Sequence, residues 1–182
     1  MIPVLHGVWS AGGVAGDYEH IETITVGAGG AASVTFSSIA GTYKHLQVRY
    51  VARANAAVLG TLIRLNGNTG SNYAFHELYG NGTSALSSAS TSQTFGLSYI
   101  APSSAPASTF GAGIIDILDY TSTSKNKTVR SLAGYDGNGA GTVGLVSSLF
   151  FATPAAVTQI DLIAQSSNQF VQHSTFALYG VK

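Results

Sequence analysis

Apolar and polar residues alternate with a period of two along most of this chain, in short runs separated by glycine, serine and asparagine clusters. That pattern predicts half-buried β-strands. The clearest run is 43–54, YKHLQVRYVARA. Leu46, Val48, Tyr50 and Ala52 share one face; His45, Gln47, Arg49 and Arg53 share the other, with Val51 as the apolar exception. Residues 21–26 and 32–39 alternate in the same way, through Ile24 and Val26 and then Val34 and Phe36, with a tight GAGGA turn between them. Further strands are predicted over 59–65, 95–100, 143–152 (ended by Pro154), 157–164 and 170–181. Asn66-Gly67 marks a turn after 59–65. The last run is long and apolar, which predicts a place inside a sheet. Residues 73–80 fit a strand or irregular structure better than a helix. Asn72 supplies a helix cap, but Phe75 stands where a capping box wants Glu or Gln, and Gly80 ends the run. Residues 81–92 and 101–109, rich in Ser, Ala, Thr and Pro, read as loops.

The stretch 111–136 reads as the hairpin around which the rest is organised. Ile114, Ile115, Ile117, Leu118 and Tyr120 form its first arm; Val129, Leu132 and Tyr135 form its second. The polar segment 121–128 between them is expected in water or against a polar partner. Asp116 and Asp119 in the first arm and Arg130 in the second make a cross-strand ion pair available. About ten short strands without an amphipathic helix predict an all-β protein: an antiparallel β-sandwich of the jelly-roll kind over residues 20–182. Residues 1–19 carry the single tryptophan, Trp9, and no sustained period, and read as an extended N-terminal arm. An apolar, glycine-spaced arm is costly to leave wet, so Ile2, Val4, Leu5, Val8 and Trp9 are the candidate anchoring residues against a neighbouring chain.

Composition sharpens this picture. Of 182 residues only 9% are charged, against about a quarter in ordinary soluble domains, and the formal net charge is zero. No basic stripe offers an electrostatic footprint for nucleic acid or an anionic membrane. A neutral surface repels its own copies weakly. With 45% hydrophobic residues, some surface is expected to be buried against other chains, in an oligomer or an assembly subunit. There is no cysteine, so disulfides and thiolate chemistry do not enter. The N-terminus lacks the charged and apolar regions of a Sec-type signal, and no run reaches the length of a membrane span, so synthesis in a cytosol is expected.

Candidate chemistry is sparse. Asp116 and Asp119, three apart, would point to opposite faces of a strand and cannot flank one glycosidic bond. His6, His20, His45, His76 and His173 are scattered, without metal-ligand spacing. No nucleophile elbow or phosphate loop occurs. The glycines at 137, 139, 141 and 144 sit between strand-like runs and read as a hairpin turn. The same stretch falls short of a calcium loop, having Ala140 at the fifth position and no closing acid. Asn81-Gly82-Thr83 and Asn126-Lys127-Thr128 match the glycosylation pattern, which arises often by chance. Nine tyrosines and eight phenylalanines suit a core first; with Asn-, Ser- and Gly-rich loops they also suit glycan or protein binding. These residues predict neither catalysis nor a cofactor or metal.

TYKHLQVR (42–49), NGNTGSNYAFHELYGNG (66–82), IIDILDYTSTSKNKTVRSLAGYD (114–136) and FALYGVK (176–182) resemble, in this order, a widespread group of small structural proteins of tailed bacteriophages. The resemblance spans about residues 20 to 182 and leaves out the arm. It implies a virion structural protein, made in the host bacterial cytoplasm, with no catalytic residues. The expectation is a non-enzymatic, homotrimeric capsid decoration (cement) protein docked on the major capsid protein or another virion protein. The alternative is a tail fibre or tailspike module that recognises host surface glycans.

Overall fold

The alternation in 43–54 becomes the third strand of an antiparallel β-sandwich. Leu46, Val48, Tyr50 and Ala52 point into the core, and Arg49 and Val51 point out. The computed structural model describes residues 17–182. Twelve strands follow in order: β1 (Tyr18–Thr25), β2 (Ser33–Phe36), β3 (His45–Ala52), β4 (Gly60–Leu65), β5 (Tyr73–Gly80), β6 (Ala85–Gln93), β7 (Gly96–Tyr99), β8 (Gly111–Ile117), β9 (Lys127–Asp136), β10 (Gly141–Phe150), β11 (Ile160–Ala164) and β12 (Thr175–Val181). One sheet has eight strands in the order β1-β12-β3-β8-β9-β10-β5-β6; the other has four, β2-β11-β4-β7. The β8–β9 hairpin occupies the middle of the large sheet. The two antiparallel sheets, eight strands and four, make an all-β sandwich. The candidate anchors Ile2, Val4, Leu5, Val8 and Trp9 lie outside the described residues.

Turn chemistry sets several registers. Asn138 and Gly139 both have positive φ and close β9 on β10 as a two-residue hairpin, with Asp136 Oδ1 accepting from the Asn138 N–H at 2.8 Å. Asn66 and Gly67 also have positive φ and turn the chain out of β4, the Asn68 N–H donating to the Leu65 carbonyl at 3.1 Å. Asn81 Oδ1 accepts from the Thr83 and Ser84 N–H groups and from the Thr83 hydroxyl, so this glycosylation-like triplet is the β5–β6 turn.

Three expectations are corrected. Residues 85–93 form a strand rather than a loop, because the edge of β5 supplies backbone partners to a run whose own side chains carry no apolar period. Residues 170–181 are not one strand: His173 has φ 73°, Phe170 is buried in bridges to Ala31 and Ala54, and β12 begins at Thr175. β12 is nonetheless interior, between β1 and β3. β1 begins at Tyr18, inside the segment expected to be the arm. The segment 121–128 has both of the settings expected for it, water over 123–126 and polar partners at its end. Lys127 is buried in β9 and donates to the carbonyls of Ser122 (2.6 Å) and Lys125 (2.9 Å), and that burial holds its ammonium pKa below the usual value.

The core lies between the sheets. Phe36, Phe170 and Phe176 are fully buried, Phe170 and Phe176 with ring centroids 4.8 Å apart, and Tyr73 stacks on Phe150 at 4.7 Å. Where the sheets come closest, the inward positions of the large sheet are small. The ring of Tyr99, from β7, lies over Gly144, and the ring of Tyr50 lies over Gly113, its cross-strand neighbour in the same sheet, so that a Cβ at either glycine would sit 2.3 Å from ring carbon. Ser131, Ser148 and Thr142 are also buried there. Arg53 pins the loop between β7 and β8, its guanidinium donating to the carbonyls of Ser103, Ala105, Pro106 and Thr109 at 2.7 to 2.9 Å.

Candidate functional site

The large side chains excluded from that tight region stand on the opposite face of the same strands. One cross-strand row runs Arg49, Ile114, Leu132, Leu145, Leu78 over β3, β8, β9, β10 and β5. Leu132, Leu145 and Leu78 are 57%, 52% and 55% exposed, and Ile114 41%. The next row runs Val51, Ala112, Gly134, Val143, Gly80, in which Val143 is 59% exposed. The third row is polar: Gln47, Asp116, Arg130, Ser147, His76. β10 shows the inversion most clearly. Its inward set is Thr142, Gly144, Val146, Ser148 and Phe150, while its outward set is Val143, Leu145, Ser147 and Leu149. A solvated sheet face would normally carry polar residues at such outward positions.

Shape follows from the rows. The aliphatic row forms a ridge, and the Ala112, Gly134 and Gly80 positions beside it leave a groove of about 710 Å³ that ends against the 136–141 turn. A second depression of about 560 Å³ lies between Leu78, Leu145 and β6 on the same face. The turn end of the first groove is braced from behind, where Pro106 of the Arg53-pinned loop packs close to Gly137.

The β1-β12-β3 side of this face is polar and aromatic. The Arg49 guanidinium lies 5.0 Å from the Tyr18 ring centroid and 5.1 Å from that of Tyr179, and its Nε donates to Gln47 Oε1 at 2.7 Å. Gln47 in turn donates to Asp116 Oδ1 at 2.8 Å. Asp116 is therefore engaged by Gln47, although Arg130 stands opposite it in register. Asp119 has left the strand for a turn with φ 46°, so the opposed-face argument does not apply to it. It bonds Lys125 Nζ at 2.7 Å, and that bond holds its carboxyl below the usual range. Its N–H donates to His45 Nδ1 at 2.9 Å. Among the described residues the ion pairs are Lys125–Asp119 and Lys182–Glu19.

The remaining candidates for chemistry have structural partners. Glu77 accepts from the Ser88 and Tyr99 hydroxyls, and burial, reinforced by that carboxylate, pushes the Tyr99 phenol up. His20 packs edge-on to Tyr179. Among the described residues no three His, Asp or Glu side chains gather as a metal site. Most large aromatics (Tyr50, Tyr73, Tyr99, Tyr120, Phe36, Phe75) are core rather than loop display. Comparison of the chain with protein-family models, curated proteins and solved structures found no match.

The sequence reading counted Ile114 and Leu132 among the hairpin's apolar runs without giving them a face, and did not single out Leu78, Val143 or Leu145. The available signal was parity. In β8 both Ile114 and Ile115 are apolar, and the outward set of β10 is more apolar than the inward one, which marks a sheet with two faces to cover.

Proposed function

We propose that this chain is a non-enzymatic structural subunit of a bacteriophage virion, with capsid decoration as its role. The observation that supports this is the outer face of the eight-stranded sheet, a continuous aliphatic ridge and groove where a free-standing sandwich would be polar. A protein built to be covered there, with zero formal charge, suits a subunit packed into an assembly. The sequence resemblance supplies the kind of assembly, and the apolar segment carrying Ile2, Val4, Leu5, Val8 and Trp9 supplies the anchor to the shell. In this reading the sandwich contributes surface, and the virion gains stability from shared burial.

The second reading, a fibre-tip module for host glycans, draws on Tyr18 and Tyr179 beside Arg49 and Gln47 at one end of the same face. The copy number of the chain in purified particles, by quantitative mass spectrometry, separates the two. Decoration predicts hundreds of copies per particle; a handful in multiples of three moves the protein to a fibre and glycan binding becomes the test. Absence from particles overturns both.

A further inference from the structure

From this face we infer that its occupant is another copy of this chain, so that the outer face of the eight-stranded sheet is a homo-oligomer interface. The inference deepens the assembly reading above and rests on it. Size is the first argument. The strands of this sheet run seven to ten residues, and eight of them about 4.8 Å apart present roughly 1,000 Å² in plan, apolar centre and polar border together; a standard interface buries roughly 800 Å² per partner.

Shape is the second. Ridge and trough lie side by side on one patch, Leu78, Leu145, Leu132 and Ile114 next to Gly80, Gly134 and Ala112. Each copy thus carries both the projection and the recess that a like surface needs. Charge is the third. Asp116 and Arg130 are neighbours at the polar border, so each copy brings an acceptor and a donor, and the zero formal charge of the chain opposes self-association little. The homotrimer expected from the sequence is one closed arrangement that covers this surface in every copy.

The test is the mass of the full-length chain in solution, by light scattering, for the wild type and for Leu132→Glu/Leu145→Glu. Both positions are half exposed, so the substitutions leave the isolated sandwich folded. The wild type is expected as two or three chains at micromolar concentration. The double variant is expected as a monomer that still unfolds cooperatively, with the melting temperature the wild type shows when diluted to monomer, its association weakened at least about 100-fold. Should the double glutamate variant misfold, Leu132→Ser/Leu145→Ser gives the same readout with a smaller shift. Incorporation of the same variants into particles is measured in parallel. A monomeric wild type whose incorporation still depends on Leu132 and Leu145 overturns the self-interface and keeps the assembly reading, with a different virion protein as occupant. A monomeric wild type whose incorporation ignores both positions overturns the two together. A multimer indifferent to both variants places self-association elsewhere and also overturns the inference.

Discussion

The two faces of the eight-stranded sheet belong to the same strands and obey opposite rules. Inward, β7 of the second sheet comes so close that Gly144, Ser131 and Ser148 are what fits beneath the Tyr99 ring and the β7 backbone, while Gly113 makes room for the ring of its own cross-strand neighbour Tyr50. Outward, nothing in the described chain constrains size, yet Leu78, Ile114, Leu132, Val143 and Leu145 stand half exposed. Small residues inside follow from packing, since a close-packed interior leaves no room for more. Large apolar residues outside do not follow from the fold of one chain, which would be as stable with polar residues there. The asymmetry therefore separates what folding requires from what the protein does.

Substitutions that probe one face at a time can break this comparison. The largest effect is expected at the core, where Phe176→Ala costs about 3–5 kcal/mol in urea unfolding. Leu145→Ala in the dissociated chain stays within about 0.5 kcal/mol. Equal losses at the two positions would show that the outer face carries folding energy of its own.

A second effect, of about 1–3 kcal/mol, is expected for Arg53→Lys, because an ammonium cannot reproduce the forked donation to four loop carbonyls. Hydrogen exchange should localise that loss to residues 102–109 and the adjoining 136–141 turn, the end of the outer groove. A uniform loss across the sheet would contradict this assignment.

Gly144→Ala drives a Cβ into the Tyr99 ring and is expected to cost about 1–2 kcal/mol. Combined with Tyr99→Leu, the loss should be less than the sum of the two single losses. Additivity would mean that the close approach of the sheets is not what keeps this position small.

The smallest effect is expected from acid. Glu19, held by Lys182 and then Tyr43, and Asp119, held by Lys125, both have carboxyls lowered below their usual values. The stability they contribute is present above about pH 4, where an unfolded carboxylate is ionised, and is lost as pH falls through their folded values. Melting temperature against pH should show a slightly shallower acid decline for Lys125→Met and for Lys182→Met than for the wild type. A steeper decline would contradict the sign.

The fold was legible where alternation was strict. β2 and β3 could be placed from Val34, Phe36, Leu46 and Val48, because there apolar period and burial coincide; β4 and the β8–β9 hairpin could be placed only as apolar runs bounded by turn residues. β6 was not legible: its serines and alanines owe their extended form to backbone pairing with β5, which no local pattern encodes. Lys127 lay in a polar segment expected in water or against a polar partner; the carbonyls of Ser122 and Lys125 are that partner, and no local pattern named them or the burial of the ammonium. The outer face stayed hidden for a different reason. Period two divides a strand into two sets but does not name the core set, and here both sets are apolar. Only the position of β7, with Tyr99 over Gly144, decides which side is inside.

The most direct test of a covered outer face uses the absence of native cysteine, which makes single thiols unambiguous reporters. Leu132→Cys on the outer face and Thr123→Cys in the exposed β8–β9 loop would be alkylated in assembled particles and in the dissociated chain. A buried outer face predicts that Leu132→Cys reacts readily when dissociated and is strongly protected when assembled, while Thr123→Cys reacts at the same rate in both. Equal reactivity of Leu132→Cys in the two states would contradict it.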